Sequence, residues 1–363
     1  MTRSSLGSPP VDLPVLGSLD ELSTTWLSTA LGAEVEGFTL SPVGTGQMGS
    51  CYRITLTGDT ALPGTALLKL PSADEGTRAM VAGAYRTEVR FYTEVLPTVG
   101  IHTPRRYATS TVGDDGLFAM LLEDMAPAQQ GDQIAGCTPD QARDAAVNLA
   151  GLHGPRWSDP TLHDVEGLTL SGPDDAALLA EVYGPATDTF LEQLGDALTP
   201  ETQETLRRCV GAAEQWSLAR QSERFGLVHG DYRLDNLLFL ADPGADALPV
   251  SAVDWQTLSL GLPARDLAYL LGTGLSVEDR REHERAIVEE YHADLLVYGV
   301  TDYTAEQAFD DYRFAMLQGP LVSVFGCAYG ARTERGDAMF AAMVNRSCTA
   351  MRDLGTLDLV GAS

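Results

Sequence analysis

The chain has 363 residues, 44% hydrophobic and 21% charged, the proportions of a folded globular protein rather than a disordered one. Its 51 acidic and 24 basic residues give a formal charge of −27, which opposes partners built on phosphate, nucleic acid and anionic membrane surfaces alike. A length beyond the roughly 250–300 residues at which single cores stop growing predicts two lobes.

Five cysteines, odd in number and far apart, form no C-x-x-C pair, so neither a zinc site nor a disulfide framework is expected. The opening MTRSSLGSPPVDLPVLGS has no apolar run of signal-peptide length, and no stretch approaches the roughly 18 apolar residues of a membrane span. A cytoplasmic protein with reduced thiols is the expectation.

In chain order, residues 1–20, rich in Pro, Gly and Ser, predict an irregular lead-in and 21–32 a short helix. Phe38-Thr39-Leu40 and Tyr52 to Leu56 predict strands joined by Gly44-Thr45-Gly46-Gln47-Met48-Gly49. After Pro63-Gly64 comes a third strand, Ala66-Leu67-Leu68-Lys69-Leu70, and then a long helix from about Asp74 to Leu96. Residues 105–109 and 117–123 alternate as a hairpin around Gly113-Asp114-Asp115-Gly116. From Pro139 the period is helical over 139–153, 174–194 and 200–220. A strand–turn–strand unit at 226–255, with a turn at Asp242-Pro243-Gly244, interrupts the helices, which resume from Asp266 to Leu354. The predicted lobes are 1–126 and 127–363. The first holds 8 basic and 14 acidic residues and the second 16 and 37, so the acidity belongs to the helical half.

Gly44, Gly46 and Gly49 match G-x-G-x-x-G, but a strand follows them and Lys69 stands where a dinucleotide site would place an acid. Strand, glycine loop, strand and a downstream lysine is the phosphate-covering arrangement of protein kinases. Of the 24 basic residues 23 are arginine, and the one lysine, Lys69, sits in an apolar strand. A slim point charge fits there where a planar fork does not. Glu88 falls within the apolar stripe Val81, Tyr85, Tyr92, Val95 of the next helix, so a buried carboxylate there needs a cation, and Lys69 is on the adjacent strand.

The densest chemistry is Val228-His229-Gly230-Asp231-Tyr232-Arg233-Leu234-Asp235-Asn236, followed by Val250-Ser251-Ala252-Val253-Asp254-Trp255. Phosphoryl transfer to a hydroxyl needs a carboxylate to orient and deprotonate the alcohol, oxygen ligands for Mg²⁺, and a cation on the phosphates. Asp231, the pair Asn236 and Asp254, and Lys69 can fill these roles in that order. Oxygen ligands without a His or Cys cluster suit Mg²⁺ rather than zinc.

His229-Gly230-Asp231-x-x-x-x-Asn236 followed by Asp254 resembles the aminoglycoside phosphotransferase and choline kinase family. The strings HGDYRLDNLLF and VDWQTLSLGLPARDLAYLL are similar to its ecdysteroid-kinase-like and bacterial branch. The resemblance implies an α+β, protein-kinase-like bilobal fold, with a small β-rich N-lobe, a larger helical C-lobe and ATP in the interlobe cleft. It implies Asp231 as catalytic base and Asn236 and Asp254 as Mg²⁺ ligands. It also implies Leu121-Leu122-Glu123-Asp124-Met125 as the adenine-reading hinge, with Glu123 and Met125 among the nucleotide-binding residues, and Asp266 as a brace for the catalytic loop.

Gly230 in place of an arginine, and Asp254-Trp255-Gln256 in place of Asp-Phe-Gly, argue for a constitutively assembled small-molecule kinase. The expected reaction is ATP- and Mg²⁺-dependent phosphorylation of a hydroxyl on a small molecule. The acidic helical half favours a cationic acceptor, solubility explains the same charge, and the branch also resembles kinases of uncharged or acyl-linked alcohols. A non-catalytic nucleotide-binding protein on the same fold is the competing class.

Overall fold

The computed structural model describes residues 13–44, 49–221, 223–241 and 249–361. The chain divides into two units. The first comprises Met1–Pro97, Thr103–Pro127 and Asp254–Thr257, and the second Thr98–His102, Ala128–Val253 and Leu258–Ser363.

In the first unit five strands form one antiparallel sheet in the order β1-β2-β3-β5-β4. They are β1 (Val35–Val43), β2 (Gly49–Gly58), β3 (Thr65–Pro71), β4 (Arg106–Thr109) and β5 (Met120–Glu123). Alternation along β3 sends Ala66, Leu68 and Leu70 into the core with Ile54, Ala108 and Leu121, and puts Lys69 on the opposite face. That core is completed from the N-terminal side. Helix α1 (Thr24–Leu31), capped by Ser23, contributes Trp26 and Leu27. The predicted lead-in has no regular structure over 13–16, yet Leu13 and Leu16 are buried and the Trp26 indole donates to the Pro14 carbonyl at 2.9 Å.

Helix α2 (Glu75–Arg90) starts where the Asp74 carboxylate accepts from the Thr77 amide at 2.7 Å. The predicted single helix to Leu96 instead changes character. Phe91–Val95 widens into a π-turn and Leu96–Thr98 tightens to a 3₁₀ turn. Phe91, at the change, stacks on Trp255 with ring centroids 3.5 Å apart and planes 8° from parallel. The Trp255 indole donates to Thr103 at 3.1 Å. The segment 254–257 is thereby fastened to α2 and its extension.

The second unit is mostly helical: α3 (Pro139–His153), α4 (Pro173–Leu194), α5 (Pro200–Leu218), α6 (Ala264–Gly274), α7 (Val277–Val297), α8 (Ala305–Ala315), α9 (Gln318–Tyr329), α10 (Glu334–Leu354) and α11 (Thr356–Gly361). Thr138 and Gln141 form a capping box with Pro139 at the first helical position, so α3 begins where the sequence pattern says it should. Two small sheets stand among the helices, β6-β8-β9 (Gln129–Gln130, Leu237–Phe239, Val250–Ala252) and β10 (Ser259–Gly261) beside β7 (Gly226–Val228). Among the described residues no helix is long and apolar enough to cross a membrane. All five cysteines are free.

Candidate active site

The predicted residues fall into two groups, one in each unit. In the first, Lys69 on β3 meets Glu88 on α2. The ammonium lies 2.6 and 2.8 Å from the two carboxylate oxygens. The Glu88 side chain is 2% exposed and that of Lys69 16%. Burial disfavours the ammonium, but the carboxylates of Glu88 and Asp254 outweigh it and raise the Lys69 pKa above its usual value. Asp254 approaches to 3.7 Å of Lys69. Its backbone has φ +67°, a left-handed conformation that Asp tolerates better than most residues. The Asp254 oxygen that faces Lys69, Oδ1, is buried with no hydrogen bond from the described residues, and an oxygen so placed suits a hard cation. Gln256 donates to Glu88 at 3.2 Å and so fixes the carboxylate that holds Lys69, a contact no local pattern announces.

Gly44 follows β1 with φ +70° and Gly49 opens β2, whereas Gly46 lies outside the described residues. A Cβ on Gly49 would stand 2.7 Å from the Leu70 carbonyl, so the close approach of β2 and β3 next to Lys69 requires glycine there. The predicted hinge follows β3 in the sheet. Glu123 ends β5 in register with Ala66, and its carboxylate accepts from the Arg105 amide at 3.0 Å. Asp124 forms an ion pair with Arg53 of β2 at 2.6 Å, and half-buried Met125 comes next.

In the second unit the loop from His229 to Asn236 is held by its own backbone and by α6. Asp266, fully buried, accepts from the amides of His229 at 2.6 Å and Gly230 at 2.9 Å. Gly230 has φ +83°, which gives a physical reason for glycine at this position. The Asp231 amide donates to His229 Nδ1 at 3.3 Å, which leaves Nε2 as the donor to the Val253 carbonyl at 3.1 Å. The ring is therefore committed to structure and is no free base. His153 is likewise buried between the Tyr291 hydroxyl at 2.7 Å and Asp266 at 3.4 Å.

Three donors converge on the Asp231 carboxylate. Tyr269 of α6 donates to Oδ1 at 3.0 Å, Asn236 Nδ2 to Oδ2 at 2.8 Å, and the Arg233 Nε lies 3.1 Å away. Burial, then the neighbouring Asp231 charge, push the Tyr269 phenol well above its usual pKa, so it remains a donor. A carboxylate offers about four acceptor sites, and donors among the described residues take three of them. Asn236 spends both amide hydrogens on Asp231, and no donor among the described residues reaches its Oδ1. Asp235, predicted only as a loop residue, is the hub behind them. It takes both guanidinium nitrogens of Arg335 at 3.0 and 3.1 Å, Arg233 at 3.3 Å and the Gln133 amide at 3.0 Å. Burial opposes its ionisation, but these donors hold its pKa below the usual carboxylate range.

The first unit thus holds a carboxylate-clamped lysine and the second a thrice-held aspartate. Over residues 39–309, more than half of the chain, the sequence matches the phosphotransferase enzyme family. The chain belongs to that family. Curated proteins give no match. Among solved structures, choline kinase from Cryptosporidium parvum Iowa II is similar with a TM-score of 0.56 and 9% identity, covering 94% of this phosphotransferase and 92% of that chain. The GDP complex of aminoglycoside 2'-phosphotransferase-IIIa gives 0.52 and 16%, over 86% and 92%. Plasmodium vivax ethanolamine kinase gives 0.51 and 13%, over 88% and 83%. At these identities the likeness establishes the kinase-like fold, a small antiparallel sheet followed by a mostly helical remainder.

Proposed function

We propose that this phosphotransferase moves the γ-phosphate of ATP to a hydroxyl group of a small molecule with Mg²⁺, residues 1–126 binding nucleotide and 127–363 acceptor. The observation that carries the reading is the chain's one lysine, held by both oxygens of a buried glutamate with Asp254 alongside. Such a clamp fixes a compact cation in one direction, as binding of the α- and β-phosphates requires.

Lys69 neutralises phosphate charge, with Glu88 and Gln256 fixing its direction. The backbone around Gly44, Gly46 and Gly49 covers the phosphates, and the segment Glu123 to Met125 reads the base. Asp254 Oδ1 and Asn236 Oδ1, neither hydrogen-bonded by a donor among the described residues, are the oxygens proposed for Mg²⁺. Bound there, Mg²⁺ offsets the charge that develops on the phosphate oxygens. Asp231 orients the acceptor hydroxyl through its remaining acceptor site and takes the proton as transfer proceeds. Five free thiols support a reducing, cytoplasmic setting.

Melting the full chain with ATP and Mg²⁺, ATP and EDTA, or NAD⁺ tests the first half of the reading. ATP with Mg²⁺ is expected to raise Tm most, and a strong response to NAD⁺ with none to ATP overturns it. Lys69→Arg is expected to remove that stabilisation, because the wider fork does not fit the same clamp.

A further inference from the structure

In a chain with 51 acidic residues a covered arginine without an acceptor is an exception, and the first unit holds one. Among the described residues of that unit, Arg53 pairs with Asp124 and Arg90 with Glu94, while Arg78 and Arg86 donate to backbone carbonyls. Arg105 is exposed. Arg106, the first residue of β4, is half-buried, and its Nε and Nη1 atoms are covered by protein with no hydrogen-bond partner among the described residues. The two acids after Leu122 are engaged elsewhere, Glu123 by the Arg105 amide and Asp124 by Arg53. Burial holds the Arg106 pKa below the usual arginine value, and no neighbouring charge opposes it. A covered guanidinium nitrogen without an acceptor is costly and calls for a partner.

The sheet register gives the direction in which that partner lies. Arg106 pairs with Leu122 of β5, which pairs in turn with Leu67 of β3. Directly paired side chains share a face, their Cβ atoms about 5 Å apart. Leu121 points into the core with Leu68 and Ala108, so the row Leu67, Leu122 and Arg106 lies on the other face. Lys69, two residues beyond Leu67, is on that face as well. A bulge in β4 between Arg106 and Ala108 turns Tyr107 and Ala108 to the core and leaves Arg106 on the Lys69 face. The proposed nucleotide has its phosphates at Lys69 and its base at Glu123 to Met125. Arg106 stands beside Leu122, the residue immediately before that base-reading segment.

A guanidinium presents donors only. Guanine offers N7 and O6 as adjacent acceptors, which a guanidinium bridges with two hydrogen bonds, whereas adenine sets an amino donor beside N7. We infer that Arg106 reads the base of the bound nucleotide and selects a purine with oxygen at C6, so that GTP is bound in preference to ATP. This rests on the phosphotransfer reading and widens its phosphoryl donor.

The test is the affinity of the full chain for GTP, ITP and ATP, each with Mg²⁺, by calorimetry. ITP keeps O6 and N7 and lacks the 2-amino group of guanine. The wild type is expected to bind GTP and ITP at least about fivefold more tightly than ATP, the low end of what one arginine–guanine pair discriminates. Arg106→Met keeps an unbranched stem and removes every donor. It is expected to weaken GTP and ITP until the three affinities agree within about twofold, with ATP no weaker than before. Arg106→Lys, the second variant, keeps the charge but not the fork, and is expected to lower the GTP-to-ATP preference at least about twofold. Loss of a merely structural contact would weaken all three nucleotides together and leave their ratios unchanged.

ATP bound as tightly as GTP and ITP by the wild type overturns the inference while the phosphotransfer reading stands. Tight GTP with weak ITP overturns it too, since the 2-amino group is then what is read. Ratios unmoved in both variants overturn the role of Arg106. Failure of all three nucleotides to bind with Mg²⁺ overturns the phosphotransfer reading, and this inference with it.

Discussion

Replacing Glu88 by Gln keeps the side-chain shape and removes its charge, leaving the Lys69 ammonium with Asp254 at 3.7 Å as its carboxylate partner. At a separation of roughly 3 Å and an effective dielectric of about 20, Coulomb's law gives the original pair about 5 kcal/mol before desolvation is subtracted. Breaking a buried pair from one side costs about 3–5 kcal/mol. Lys69 keeps some exposure and one carboxylate, so Glu88→Gln should cost about 2–3 kcal/mol, the lower part of that scale. Urea denaturation of the full chain measures it, and a cycle with Lys69→Met isolates the coupling. The cycle carries a second signature. Burial pushes the Glu88 pKa up, and without Lys69 nothing comparable opposes it. A carboxyl whose folded pKa is raised is fully tolerated below its unfolded value of about 4.3, and its contribution is lost as pH rises through the folded value. The deficit of Lys69→Met should therefore grow as pH rises above that unfolded value, whereas the Glu88→Gln chain, with no carboxyl there to titrate, should show no such loss of its own. A coupling below about 0.5 kcal/mol, or a flat pH profile for Lys69→Met, would refute the account of the clamp.

Asp231→Asn should lower turnover by about 10²–10⁴ while ATP affinity by calorimetry stays within about twofold, because the carboxylate is assigned to the acceptor and not to the nucleotide. Asp254→Asn should weaken the Mg²⁺-dependent part of ATP binding as well as turnover, and equal ATP affinity in Mg²⁺ and EDTA for the wild type would remove the metal assignment. Asp353→Asn takes one of two carboxylates from Arg280, whose side chain is 1% exposed, and should cost about 1–3 kcal/mol at pH 7. Arg281 and Arg280 hold the Asp353 pKa below its usual value, so that contribution is present above about pH 4 and disappears as pH falls further. The two melting curves should converge there.

What could be read in advance depended on how far apart the cooperating residues are. Lys69 and Glu88 were legible because each breaks a local rule, a lone lysine in an apolar strand and an acid inside a helical stripe, and each infraction calls for the other. The helix starts at Thr24, Glu75 and Pro139 carry Ser, Asp and Thr caps that can be seen in sequence. The π-turn at Phe91–Val95 could not be foreseen, since its stacking partner Trp255 is distant in the chain and no period of 3.6 encodes it. The same holds for Arg335 on Asp235 and Gln256 on Glu88. Tyr269 on Asp231 was hidden differently, as one more apolar-looking position on a buried helix. The burial of Leu13 and Leu16 was missed because Pro and Gly signal irregular backbone and carry no information on whether that backbone is covered.

The assignment of Asp254–Thr257 to the first unit, with the residues on either side in the second, has a consequence for how this chain can be divided. The polypeptide passes from one unit to the other after residues 97, 102, 127, 253 and 257, so no single scission separates them whole. An N-terminal fragment ending at Pro127 would present the bare face of Phe91 where Trp255 stacks, and would leave Glu88 without Gln256 and Lys69 without Asp254. The two halves are stitched rather than strung. Recombination that exchanges acceptor-binding segments among relatives must leave that four-residue stitch in register, so variation is freest in stretches that both begin and end in the second unit.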